Sequence, residues 1–178
     1  MSAESVRIRP AQPADLESVA AIYAHYVHES VATFDEVPPT AEDWRAKAYD
    51  LHARRLPFLV AEVDWAVAGF AYAAPWRPKP AYRHTAEDTI YLAPDHAGKG
   101  LGRALLGTLL PLCADAGIRR VLAVIADGGD ENTSTRLHKS FGFVEAGRLT
   151  AVGYKHERWV DTVLYQLELQ PRQPASGE

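Results

Sequence analysis

Apolar residues recur along this chain with two different periods, and the changes of period mark its elements. Val6 and Ile8 alternate with Arg7 and Arg9, a short strand that Pro10 stops. From Asp15 the period becomes helical, with Leu16, Val19, Ala20, Tyr23 and Val27 on one face. A second helix is predicted to begin at Thr40, an N-cap followed by Glu42 and Asp43 where they complement the helix dipole, and to end before Pro57. Phe58–Val63 and 66–74 then read as two strands joined by a tight turn at Asp64 and Trp65. After a Pro-rich loop, PWRPKPAYRHT, an alternating strand at 87–92 stops at Pro94. Leu101, Leu105, Leu109 and Leu112 recur at helical spacing until Gly117 supplies a C-terminal stop. The apolar run 120–125 has the look of a strand covered on both faces. A helix at 133–141, ended by Gly142, and strands at 143–150 and 160–169 complete the order βααβββαβαββ. That order predicts an α/β fold built on one mixed sheet of about seven strands, with helices on both faces.

Composition narrows the partners. The 178 residues suit one domain, placed at 1–169, and the Pro-, Ser- and Gly-containing stretch 170–178 is expected to be a disordered tail. With 19 Lys and Arg against 23 Asp and Glu, the net charge of -4 leaves no basic excess for nucleic acid. No run approaches the roughly 18 to 20 apolar residues of a membrane span, and MSAESVRIRP lacks a signal-peptide core, so a cytoplasmic protein with no membrane partner is expected. The sole cysteine, Cys113, cannot form an intrachain disulfide or a Cys-based zinc site and reads as a small core residue. His25 and His28 lie one helical turn apart but no third ligand is indicated, so no metal is expected.

The segment with the most chemistry is His96 to Arg103, which carries glycines at 98, 100 and 102 between a predicted strand and a strongly periodic helix. Backbone amides that open a helix carry partial positive charge and suit a phosphate or pyrophosphate. Glycines there allow positive φ and a close approach by a ligand. The spelling matches neither GxGxxG nor the Walker A loop. Its alternative is a glycine-rich turn that holds nothing.

This loop, Ala97 to Gly102, resembles the R/Q-x-x-G-x-G/A loop of the GNAT superfamily of N-acetyltransferases, with Ala97 standing where Arg or Gln is usual. The resemblance narrows to the phosphinothricin N-acetyltransferase group. It is carried by the stretch from Ala81 to Tyr91, by Arg136, Leu137 and His138, by Gly142 and Phe143, and by the block from Gly153 to Asp161 with Gln166. A second departure puts Glu131 where the group has Asn, with Asn132 one residue late.

The resemblance implies a GNAT fold and acetyl-CoA as co-substrate. The pyrophosphate would lie on Gly98, Lys99, Gly100, Leu101, Gly102 and Arg103, and the pantetheine arm along Ile90, Tyr91 and Leu92, with Asn132 or Ser134 as a further contact. Glu87 takes the place of the general base, which amine acetylation needs because amino groups with pKa of about 8 to above 10 are mostly protonated at neutral pH. Otherwise Glu87 is a solvated carboxylate, and Asp88 beside it should face the other side of the strand. His138 stands where the family has a Tyr that protonates the leaving thiolate; its other reading is a half-buried His bonded to backbone. Phe34, Trp76, Arg77 and Tyr82 match positions that shape the acceptor pocket, with Arg77 or Arg83 as a clamp for a carboxylate. The block from Lys155 to Asp161 supports either a dimer contact or a hairpin at the pocket edge.

Together these imply direct acetyl transfer to the amine of a small amino-acid-like molecule of the phosphinothricin or methionine sulfoximine type, by a homodimer. A peptide N-terminus or polyamine acceptor, and a non-catalytic CoA-binding module, are the alternatives.

Overall fold

The computed structural model describes residues 5–128 and 132–170. Its strands are β1 (Val6–Pro10), β2 (Phe58–Val63), β3 (Ala66–Pro75), β4 (Thr85–Leu92), β5 (Arg120–Asp127), β6 (Val144–Lys155) and β7 (Arg158–Glu168). The helices are α1 (Leu16–Glu29), α2 (Ala41–Ala53), α3 (Leu101–Asp115) and α4 (Thr133–Ser140). The strands form one sheet in the order β1-β2-β3-β4-β5-β7-β6, antiparallel except for the β4–β5 pair. The expected disordered tail at 170–178 lies outside the described residues from 171 onward, as does Glu131.

Local chemistry accounts for most boundaries. Thr40 caps α2 through a reciprocal box: its Oγ1 accepts from the Asp43 amide at 3.2 Å, and Asp43 Oδ2 accepts from the Thr40 amide at 2.7 Å. Arg9 pins the start of the chain by a two-bond fork to Asp15 (2.7 and 2.9 Å) and a 2.7 Å contact with Glu62 on β2. Asp64 and Trp65 both take positive φ, 46° and 71°, which gives the β2–β3 hairpin the twist of a two-residue turn without a glycine.

The sheet separates two cores. On one face α1 and α2 bury Leu16, Val19, Ile22, Tyr23 and Trp44 against Val60, Phe70 and Tyr72. On the other, α3 buries Leu101, Leu105, Leu106, Leu109 and Cys113 against Ala71, Ala73, Ala86 and Val121.

Three expectations need correction. Leu112 points outward; Leu106 and Leu110 complete the buried stripe of α3 instead. β5 is fully covered on one face, with Val121, Ala123 and Ile125 buried; on the other Val124 is exposed and only Ala126 is buried, against Val31 and Val160, because α1 and α2 lie over β2 to β4. Finally, the last two strands run past 150 and begin before 160. A bulge between Leu149 and Gly153, where Ala151 takes φ 50° and donates its amide to Asp161 Oδ1 at 2.8 Å, lets pairing resume to a turn at His156 and Glu157.

Candidate active site

The site begins where a hydrogen-bond ladder stops. β4 and β5 pair at Thr85, Ala86 and Glu87 with Arg120, Val121 and Leu122, and beyond Glu87 the two strands continue without pairing to each other. The wedge between them opens into a cavity of about 840 Å³ that reaches both faces of the sheet. Residues 87–92 and 123–126 form its walls.

On the α3 face, the cavity ends at Ala97, Gly98, Gly100, Gly102 and Arg103. Gly98 and Gly100 take φ of 76° and 85°, and a Cβ built on either would meet no atom within 4 Å. Backbone this bare lets a ligand reach the amides. Gly100 also caps α3 without a side-chain hydrogen bond, so the first-turn amides keep their donor capacity. Arg103 lies over the Phe141 ring and donates to Ser140 Oγ at 3.1 Å, and Arg136 lines the same end. A pyrophosphate-bearing ligand fits this set: open amides, a helix N-terminus and two guanidinium groups. Asn132 caps α4 by accepting from the Ser134 amide at 2.8 Å and donates to the Ala126 carbonyl at 3.1 Å.

On the opposite face, Glu87 shares its side of the sheet with Tyr72, since Ala74 pairs with Glu87 and Tyr72 with Thr89. Tyr23, Tyr26 and Phe34 complete this end. Burial raises the Glu87 carboxyl above the ordinary carboxylate value, the Asp88 charge adds to the rise, and Lys47 partly offsets it. Lys47 Nζ stands 3.4 Å from Tyr72 Oη and 4.9 Å from the Tyr72 ring centre. Burial likewise pushes up the hydroxyls of Tyr23, Tyr26 and Tyr91, which therefore act as donors. Tyr26 donates to the Leu92 carbonyl at 2.6 Å.

Asp88, the first residue past the ladder, turns to the α3 face as strand alternation requires. Its Oδ2 lies 2.8 Å from His138 Nε2 on α4, and both side chains are nearly inaccessible, 1% and 4% exposed. His138 Nδ1 donates to the Ser134 carbonyl at 2.7 Å. Both ring nitrogens are thus engaged, and His138 and Asp88 line the cavity wall. Burial alone would lower the His138 pKa; the bond and charge of Asp88 and the Ser134 carbonyl outweigh it and raise it. Cys113 is buried nearby, its thiol pushed up to about 12 by burial and by Asp88, which makes it a poor nucleophile.

The remaining expected residues fall in different places. Ile90, Tyr91, Leu92 and Phe34 line the cavity. The Leu101 side chain points into the core, leaving only its backbone for a ligand, and the Lys99 side chain is not among the lining groups. Trp76, Arg77 and Tyr82 do not reach the cavity. They sit between Pro75 and Thr85, at the paired end of β4, where Arg77 stacks on Trp76 at 5.1 Å and Tyr82 is exposed. Arg83 donates to the Pro80 carbonyl there. Tyr26 and Tyr72 also line the cavity on the Glu87 face, with Lys47 beside Tyr72, and the sequence does not single these three out, although Tyr23 and Tyr26 lie one helical turn apart. Among the described residues no group of three or more His, Cys, Asp or Glu side chains is arranged to hold a metal, and no helix is long and apolar enough to cross a membrane.

A cleft that passes through a sheet suits a long, thin ligand held by its phosphates on one face and reacting on the other, which is the architecture of a CoA-dependent acyltransferase. Residues 19–143 match the acetyltransferase (GNAT) family, and the chain belongs to that family: it is an N-acetyltransferase. It is 45% identical over 91% of its length to a phosphinothricin N-acetyltransferase of Alcaligenes faecalis, covering 82% of that protein. It is 36% identical over 96% of its length to an L-methionine sulfoximine/L-methionine sulfone acetyltransferase of Pseudomonas aeruginosa, 99% of which is covered. The crystal structure of a GNAT superfamily phosphinothricin acetyltransferase from Sinorhizobium meliloti in complex with AcCoA superposes with a TM-score of 0.88 at 39% identity, covering 97% of this chain and 94% of that one.

Proposed function

We propose that this enzyme transfers the acetyl group of acetyl-CoA to the amine of a small amino-acid-like acceptor, by direct attack within a ternary complex. The observation that carries this reading is the position of Glu87: a half-buried carboxylate on the cavity face opposite the glycine turn, with its pKa raised towards the working range of a base. The relatives named for phosphinothricin and methionine sulfoximine support the acceptor class.

Acetyl-CoA supplies the thioester: the amine nitrogen bonds to its carbonyl carbon, the C–S bond breaks and the CoA thiolate leaves. The chain's own groups do the rest. The α3 amides, Arg103 and Arg136 anchor the phosphates, and the edge of β4 past Glu87 offers backbone donors to the pantetheine arm and to the carbonyl oxygen as negative charge develops. Glu87 removes the amine proton, directly or through a water. His138, bonded to Asp88 and Ser134, positions β4 against α4, and the thiolate takes its proton from solvent. Tyr23, Tyr26, Phe34 and Tyr72 enclose the acceptor, with Lys47 as the cation beside it. The high thiol pKa of Cys113 supports direct transfer over a cysteine acyl-enzyme.

The same reading includes a homodimer, supported by the exposed apolar side chains Leu149, Val152, Tyr154 and Trp159 on the β6–β7 hairpin at the sheet edge. The deciding experiment measures CoA thiol release from acetyl-CoA with a panel of L-amino acids, phosphinothricin, methionine sulfoximine, polyamines and short peptides. Release with amino-acid-like acceptors is expected. Release only with polyamines or peptides refutes the acceptor class, and none with any acceptor refutes the reading.

A further inference from the structure

The β6–β7 hairpin grips one wall of the acceptor end. Gly153 and Lys155 are both buried and share a face of β6, while Tyr154 between them is exposed. The Lys155 ammonium donates to the Thr33 carbonyl at 2.8 Å. One residue further along that segment, the Phe34 ring lies directly on Gly153: a Cβ built at 153 would overlap Cε2 and Cζ of the ring and stand 2.9 Å from Cδ2. Two residues of β6 therefore hold two consecutive residues of the α1–α2 connection.

That connection is also held from other sides, through the Thr33 and Asp35 side chains and the Ala32 carbonyl. Tyr23 Oη lies 2.6 Å from Thr33 Oγ1 and donates to Asp35 Oδ2 at 2.7 Å, and Tyr91 donates to the Ala32 carbonyl at 3.0 Å. Residues 32, 33 and 35 are pinned by α1, β4 and β6 together, which leaves the Phe34 side chain as the part able to move. Its ring is 39% exposed and lines the cavity.

We propose that Gly153 is a specificity-determining position of this enzyme, with Lys155 as the positioning residue beside it: the missing side chain seats the Phe34 ring against β6 and so sets the width available to the acceptor. The inference rests on the reading of the site as one for small amino-acid-like amines. A methyl group at 153 displaces the ring; the pinned backbone cannot retreat with it, so the ring moves over the cavity and takes room from the acceptor. Amino acids with side chains of methionine length lose that room, and alanine does not. The glycine turn is on the far face of the sheet and is untouched.

The test compares Gly153→Ala with wild type in the full chain, at saturating acetyl-CoA, with L-methionine sulfone and L-alanine as acceptors. A misfit of about one methylene is typically worth about 10- to 200-fold in kcat/KM, and a fall of that size in the sulfone-to-alanine ratio, with the KM for acetyl-CoA unchanged, is the expected result. Phe34→Ala and the Phe34→Ala/Gly153→Ala pair should share one ratio, since without the ring nothing is displaced. Lys155→Met should raise acceptor KM with little change in kcat. Calorimetric titration of CoA should give the same affinity for wild type and Gly153→Ala, a readout independent of turnover. Wild-type turnover with an unchanged ratio in Gly153→Ala overturns this inference alone. A ratio that still falls when Gly153→Ala is added to Phe34→Ala, or a loss of CoA affinity, overturns it too. No turnover by wild type on any acceptor overturns the reading of the site and this inference with it.

Discussion

Replacing Asp88 by Ala removes one half of a buried pair at the point where β4 leaves the β4–β5 ladder. With the two side chains 1% and 4% exposed and 2.8 Å apart, an uncompensated charge left behind would cost about 3–5 kcal/mol. His138 has a way out: without Asp88 its burial favours the neutral ring, which keeps the Nδ1 bond to Ser134 and leaves Nε2 as an unpaired acceptor worth about 1–3 kcal/mol. A loss of about 2–3 kcal/mol near pH 6 is therefore expected, or roughly 4–12 °C in Tm for a chain of this size. The pH dependence gives the sharper check. Because His138 is raised above 6.5 in the folded state, its contribution is fully present below about 6.5 and is lost as pH rises through the raised value. The stability gap between wild type and Asp88→Ala should be widest near pH 6 and narrow as pH rises through the raised His138 value, as read from urea unfolding followed by tryptophan fluorescence. An Asp88→Leu/His138→Phe pair, which removes both polar partners, should recover most of the loss. A gap that is constant with pH, or below about 1 kcal/mol throughout, would refute the pairing as described.

Other outcomes follow from the same geometry. Glu87→Gln should lower kcat by about 10²- to 10⁴-fold with little change in the KM for acetyl-CoA, and in wild type the acidic limb of kcat/KM should lie above the ordinary carboxylate value because burial raises Glu87; stopped-time thiol assays across pH measure both. Gly100→Val places a β-branched residue at φ 85°, strain of about 1–2 kcal/mol, and puts a side chain into the space where the phosphates approach. The KM for acetyl-CoA should rise at least tenfold while the fold survives by circular dichroism. Acetyl-CoA at about 100 times its Kd should stabilise wild type by about 2.7 kcal/mol in thermal unfolding, and Gly100→Val should show a much smaller shift at the same concentration.

How much could be read in advance depended on how far apart the deciding residues were. The start of α2 was legible because Thr40 and Asp43 settle it between themselves, and the order of elements followed from local periodicity. The exposure of Leu112 and Val124 was not legible, because it depends on which neighbouring elements happen to cover a given face. The Asp88–His138 pair joins residues 50 apart, and the end of the ladder is a register relation between β4 and β5 that neither strand's sequence states. Trp76, Arg77 and Tyr82 were placed at the pocket by resemblance, yet their loop lies at the closed end of the wedge. Phe34 and the glycine turn, by contrast, lie on the cavity. Tyr72 could have been found by pairing β3 with β4, since alternation puts it on the Glu87 face once the register is known.

The shortness of that ladder also bears on how the molecule deforms. The β4–β5 ladder has three residue pairs, whereas β5 is matched to β7 from Arg120 to Asp127 and β3 to β4 from the Gly69–Leu92 pair to the Pro75–Ala86 pair. Mechanically the sheet is two stiff plates sharing a short hinge, and bending concentrates there. A ligand threaded into the wedge acts as a splint across it. Amide exchange in β4 past Glu87 and in β5 past Leu122 should then be the quickest in the sheet interior when the wedge is empty and should slow most when CoA is bound, so that the enzyme stiffens along one seam.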